Sequence, residues 1–207
     1  MTGGNLGAGT VKLVLATHNT HKVEELRRIL GPVLEGIELT GYDGPEPVED
    51  GETFEENALI KARAAFAHTG LPTIADDSGI CVAALGGAPG IHSARYAGTR
   101  VDADNVAHLL EELARVEARK QEDRRAEFCC AAALVMDGFE HVELGVWPGT
   151  VLHEATGTNG FGYDPVFRPD GYEVASAQLS PAEKDAISHR HRAFTQLMPT
   201  VRQQLLR

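Results

Sequence analysis

Apolar residues fall along the chain with two periods that alternate. Residues 11–16 form a short β-branched apolar run that passes through Thr17-His18-Asn19 into Val23, Leu26, Ile29 and Leu30 at helical spacing. Strand, turn and helix follow from that change of period. A second apolar run, 37–39, leads through a Gly/Pro/Glu-rich loop to Thr53-Phe54-Glu55-Glu56, a capping box that predicts a helix reaching about His68. Residues 71–75 read as another strand, ending at Asp76-Asp77-Ser78-Gly79, and 86–90 form a glycine-rich loop. Helical spacing returns over 104–117. Two apolar runs, 128–136 and 141–147, flank Asp137-Gly138, the signal of a hairpin. Ser180-Pro181-Ala182-Glu183 is a second capping box with proline at the first helical position, and a last helix is predicted from about His189 to Leu206. Strands alternating with helices before one hairpin argue for a mixed α/β sheet.

Composition narrows the class. With 207 residues and 43% apolar content, the chain supports one sizeable core or two lobes sharing a sheet. We read residues 1–10 as a flexible, Gly-rich tail and 11–207 as a single domain. The net charge of −11 repels a phosphate backbone, and the densest basic run, 115–125, is interleaved with Glu117, Glu122 and Asp123. Nucleic acid is therefore not an expected partner. Cys81, Cys129 and Cys130 give an odd count in apolar surroundings and read as reduced thiols. With no apolar stretch near the roughly 20 residues of a membrane span, and no signal-like start, the expectation is a cytoplasmic protein.

Several residues carry possible chemistry. Asn19 and Lys22 sit where the first strand feeds the first helix, a place where free backbone N–H groups favour an anion. Lys61 shares a helix arc with Phe54, Ala58, Ala62 and Ala65, which either lets it snorkel at the core rim or points its ammonium into a cleft floored by small side chains. Asp76-Asp77 is the sharpest signal. Two adjacent carboxylates beside an apolar strand repel unless a cation neutralises them, with a magnesium ion as the obvious choice and an Asx-type turn as the bland alternative. Glu49 and Asp50 could add an oxygen ligand. The segment 157–164 holds Phe161 and Tyr163 in a glycine frame, as a loop closing over a planar base would. His189 and Arg190 follow Ser188, a plausible N-cap, and could donate to a base carbonyl. The histidines make no zinc pattern with any cysteine pair.

Taken in order, Thr17 to Lys22, Phe54-Glu55-Glu56-Asn57-Ala58, Ala75 to Gly79, Gly86 to Gly90, Ser93-Ala94-Arg95-Tyr96, Gly160 to Pro165 and Ile187-Ser188-His189-Arg190 closely resemble the inosine/xanthosine triphosphate pyrophosphatase family. The resemblance spans about Val11 to Leu206. It implies a mixed, long central sheet flanked by helices, two lobes with a cleft between them, a homodimer, and Mg²⁺-dependent cleavage of ITP, dITP or XTP to the monophosphate and pyrophosphate. Carried onto matching positions, it implies that Thr17, His18, Asn19, Thr20, His21 and Lys22 cradle the triphosphate. Asp77 becomes general base and metal ligand, Glu49 the second metal ligand, and Ser78 a substrate contact. Lys61 and Arg95 bind phosphate; Phe161, Gly162, Tyr163 and Asp164 hold the base, with Lys184, His189 and Arg190 completing its pocket. His18 and His21 depart from the glycine or small residues frequent in this loop. Two other readings stay open on the residues alone: a nucleotide-sensing module that binds without cutting, and a phosphatase that releases orthophosphate.

Overall fold

The structure is a computed structural model that describes residues 10–206, so the tail read over 1–10 lies almost wholly outside the described residues. Six strands make one mixed sheet in the order β2-β1-β3-β4-β5-β6. β1 (Val11–Leu15) runs parallel to both β2 (Ile37–Gly41) and β3 (Thr73–Val82). From β3 onward every pairing is antiparallel, through β4 (Arg125–Met136), β5 (Phe139–Val151) and β6 (Phe167–Pro169). The predicted hairpin is present, with Met136 opposite Phe139 across Asp137-Gly138, and Gly138 at φ +65 takes the left-handed conformation such a turn requires.

Helices cover both faces. α1 (Thr20–Leu30) and α5 (His189–Leu205) pack Leu26, Leu30, Phe194 and Leu197 against Ile74, Ala132 and Leu134. On the other face α2 (Phe54–Thr69) lays Ala58, Ala62 and Ala65 over Ala75, Ala131 and Ala133, and alanine against alanine brings the helix close to the strands. α3 (Asp102–Arg115) serves a third cluster, with Leu109 and Leu113 packed near Ile80, Val82 and Trp147. The short α4 (Pro181–Asp185) carries the full capping box read at Ser180. At α2 the box is incomplete: Thr53 Oγ1 accepts from Glu56 N, but the Glu56 carboxylate returns to the N–H of Glu52 rather than of Thr53.

The main correction concerns β3. The strand does not end at Ala75; it continues to Val82, so Asp76-Asp77-Ser78-Gly79 is extended backbone paired with Ala132 to Cys129, not an Asx-type turn. Because β1 reaches only Thr73 and Ile74 of β3, the rest of that edge loses its strand neighbour. Beyond Gly79 it is covered by the segment Gly90–Arg95, with Ser93 Oγ accepting from Ile80 N at 2.9 Å. The uncovered edge between β1 and that segment divides two lobes and opens a cleft.

Gly145 in β5 shows how tightly α5 is seated, since a Cβ there would run into the carbonyl of His189 and the backbone of Ala193. Gly145→Val is expected to cost about 1–3 kcal/mol by overpacking, read as a drop in Tm. Gly41→Ala, where a Cβ meets nothing within 4 Å, should leave Tm unchanged.

Candidate active site

The cleft has a volume of about 400 Å³, within the range of small-ligand sites. Its floor is the bare edge of β3. In a strand, neighbours point to opposite faces, and that alternation separates the two carboxylates the sequence pairs. Asp76 faces α1 and α5, where Lys22 Nζ lies 3.0 Å and Arg190 Nε 3.2 Å from its Oδ2. Asp77 faces α2, where Lys61 Nζ lies 2.7 Å from its Oδ1. Mutual repulsion is thus answered by a different helix on each side, and the snorkelling alternative for Lys61 gives way to an ammonium directed at the cleft.

Asp76 is 1% exposed, and burial alone would raise its pKa; Lys22, Arg190 and Lys61 outweigh that and hold it far below the carboxylate range. Arg190, itself buried, reaches further. Its Nη1 lies 3.4 Å from Glu25 Oε2 and its Nη2 donates to Ser78 Oγ at 2.6 Å. Lys184 Nζ meets Asp164 Oδ2 at 2.5 Å and Glu25 Oε2 at 3.6 Å. Burial also raises Glu25, yet Arg190 and Lys184 leave it ionised below its ordinary value. The next residue, Asp185, fixes α4 to α1 by accepting from Arg28 Nε and Nη2 at 2.5 and 3.2 Å.

On the α2 side burial raises the Asp77 carboxyl, with Lys61 and Lys22 pulling against it. Lys61 also contacts Glu49 Oε2 at 3.3 Å, so Glu49 and Asp77 converge on one point. Oδ2 of Asp77 and Oδ1 of Asp76 are buried with no hydrogen-bond partner among the described residues. An unmet carboxylate oxygen beside a second carboxylate is a hard-donor set.

At the other end, Asp164 Oδ2 accepts from the Phe161 N–H at 2.9 Å and its Oδ1 from Ser176 Oγ, while Gly162 N donates to Asp102 Oδ2 at 2.6 Å. Lys184 Nζ and Arg190 Cζ lie 5.0 and 5.3 Å from the Phe161 ring centroid. His189 is stacked on Phe128 at 4.7 Å between ring centroids, and burial, then the charges of Arg190 and Lys184, push its pKa well below the usual value, so the ring is neutral at pH 7.

Most of the residues singled out in the sequence line this cleft: Thr17, His18, Asn19 and Lys22, then Glu49, Lys61, Asp77, Ser78 and Arg95, together with Phe161 to Asp164, Lys184, His189 and Arg190. Thr20 and His21 are not among its lining residues; both are exposed in the first turn of α1, and the His21 ring stacks on Phe161. Asp50, a candidate by charge, is not among the lining residues either. Sequence reasoning missed Glu25, Asp102 and the structural part of Asp76. A faint signal existed for Glu25, which sits about 40° from Ile29 on a wheel of 100° per residue, at the rim of the apolar arc. Asp102 had none, because the helix was read from 104.

Fold and cleft together define a mixed α/β protein whose one cleft gathers cations and carboxylates along the β3 edge with the Phe161 ring and the buried Lys184 and Arg190 beside them. The Ham1 family model matches residues 13–200, and the chain belongs to that family. It is 54% identical over 194 residues to the dITP/XTP pyrophosphatase of Leifsonia xyli subsp. xyli, covering 93% of this chain and 96% of that one. It is 52% identical to the dITP/XTP pyrophosphatase of Mycobacterium tuberculosis, covering 92% and 95%. Among solved structures it is similar to a HAM1 protein from Coxiella burnetii, with a TM-score of 0.83, 41% identity and coverage of 93% and 99%.

The pH dependence of stability follows from the buried groups. Unfolded His189 takes up a proton near pH ~6.5 and the folded ring resists it, so stability should fall as pH drops below that value, by at most about 1.4 kcal/mol per pH unit. His189→Phe should flatten this limb in urea unfolding measured at pH 7.5 and 5.5. Asp76→Asn, which strands Lys22 and Arg190, should cost about 3–5 kcal/mol.

Proposed function

We propose that this chain hydrolyses deaminated purine nucleoside triphosphates, the dITP, ITP and XTP class, to the nucleoside monophosphate and pyrophosphate, and that it does so in the cytoplasm as a homodimer with Mg²⁺. The observation that carries the reading is the make-up of one cleft: cations and carboxylates at the β3 edge, joined through Arg190 to the buried Lys184 and the Phe161 ring. Relatives about half identical over nine-tenths of the chain bear that activity in their names.

Glu49 and Asp77 are the residues suited to Mg²⁺. Among the described residues no three His, Cys, Asp or Glu side chains gather around one point, and Mg²⁺ held by one or two carboxylates with substrate phosphates needs no third. Bound there, the ion would supply the positive charge that lets a crowded triphosphate approach a carboxylate pair. Lys22, Lys61 and Arg95 neutralise the phosphate oxygens as charge moves toward the leaving pyrophosphate. Asp77, with one oxygen unmet and a pKa raised by burial, orients the attacking water and takes its proton. Thr17, His18 and Asn19 frame the phosphate chain where α1 begins.

Selectivity follows from donors already desolvated. Lys184 has an N–H left after Asp164 and Glu25, and Arg190 keeps an unshared N–H on Nη2 after Ser78. A 6-oxo purine accepts from such donors. The 6-amino group of adenine leaves them unpaired, at about 1–3 kcal/mol each. His189 stays neutral and Phe161 offers its ring to the base. For the homodimer, the outer face of β5 offers Leu144, 40% exposed, between the half-buried Val142 and Val146.

Assaying ITP, XTP, GTP and ATP with Mg²⁺, with pyrophosphate and orthophosphate measured separately, tests the activity. Pyrophosphate from ITP and XTP is expected, silenced by EDTA; orthophosphate, binding without turnover, or ATP cut as efficiently as ITP would each defeat it. Asp77→Asn should lower kcat about 100-fold or more. Arg190→Lys keeps the charge and loses the fork, so the ratio of kcat/KM for ITP over ATP should fall by roughly tenfold.

A further inference from the structure

His21 is assigned to the phosphate cradle by its place in the sequence, yet it lies outside the cleft and touches a different part of it. Its ring stacks on Phe161, with centroids 5.4 Å apart and planes 16° from parallel. His21 thus covers one face of a ring that lines the cleft and that Lys184 Nζ and Arg190 Cζ also approach, at 5.0 and 5.3 Å from its centroid. The backbone around Phe161 is held by Asp164 at its own N–H and by Asp102 at the N–H of Gly162. These bonds fix where the chain runs, not where the ring points. Glycines at 160 and 162, at φ +75 and +60, leave the ring without bulky neighbours in its own loop.

We propose that His21 is a positioning residue that braces the Phe161 ring by stacking on it and so couples the ring to the first turn of α1 at the phosphate-binding residues. The coupling is geometric. His21 stands in the first turn of α1, beside Lys22, whose ammonium reaches Asp76, and two residues after Asn19, whose side chain caps the helix by accepting from Lys22 N. Whatever fixes that turn when the triphosphate is bound fixes the backbone from which the His21 ring reaches Phe161, and the stack carries that constraint to the Phe161 ring. This inference rests on the reading of Phe161 as the ring that meets the base.

The test compares His21→Ala, His21→Phe and His21→Lys. KM and kcat for ITP, inhibition by pyrophosphate and calorimetric binding of ITP are measured for each. His21→Ala should raise KM by roughly three- to tenfold, the range for losing one aromatic contact, with kcat changed less than twofold. Pyrophosphate, which meets only the phosphate end, should inhibit the variant and the parent alike. His21→Phe should restore KM and His21→Lys should not. Because His21 is exposed, Tm should stay constant across the set. An unchanged KM in His21→Ala, or weaker pyrophosphate inhibition rescued by lysine, overturns the brace and returns His21 to the phosphate cradle. Binding separates the two readings: a parent that binds ITP without releasing pyrophosphate defeats the proposed activity, while weaker ITP binding by His21→Ala upholds the brace. Normal pyrophosphate release with unchanged ITP binding by His21→Ala defeats the brace alone.

Discussion

Asp76 is the charge on which the rest of the structure depends. A carboxylate at the centre of a sheet has to be met by cations that no strand can supply, and here Lys22 comes from α1 and Arg190 from the start of α5. An ionic centre of this kind contributes little net stability, because desolvation offsets the attraction. Its effect is to define position. α1 and α5 can sit in one arrangement only, the one that delivers both cations to Oδ2, and the bonds from Arg190 to Ser78 and Glu25 extend that requirement to the strand edge and to Lys184. The helices that form one wall of the cleft are therefore placed by charge as well as by the packing of Leu26, Phe194 and Leu197.

The architecture was largely legible because its signals are local. The period change at Asn19, the box at Ser180 and the Asp137-Gly138 turn each act within a few residues, and each element formed where the pattern placed it. The reading failed where tertiary charge overrides local preference. The apolar pattern ends the strand at Ala75, because nothing nearby in sequence tolerates two carboxylates in a buried strand that in fact runs on to Val82. The residues that make it tolerable lie 54 and 114 positions from Asp76, in Lys22 and Arg190. The same limit explains Asp102, whose partner Gly162 is 60 residues away.

At the site, residue types were more legible than directions. Chain order marked Lys61, Asp77, Phe161 and Arg190 as chemistry-bearing, and the cleft gathers them. It could not reveal that Asp76 and Asp77 serve opposite faces, since that requires knowing they lie in a strand. Nor could it separate His21 from Lys22: one residue along a helix is a rotation of about 100°, and here that is the difference between stacking on Phe161 and reaching Asp76.

That β3 carries Asp76 and Ser78 on one face and Asp77 on the other decides how a change in one helix spreads through the site. Changes in α5 and α4 reach the groups around Arg190 and Lys184, while changes in α2 reach Asp77 and Lys61, and a single backbone separates the two. Lys22 is the exception: it shares Asp76 Oδ2 with Arg190, so a change at Arg190 is felt at Lys22 through one carboxylate, whereas it reaches Asp77 only through the strand.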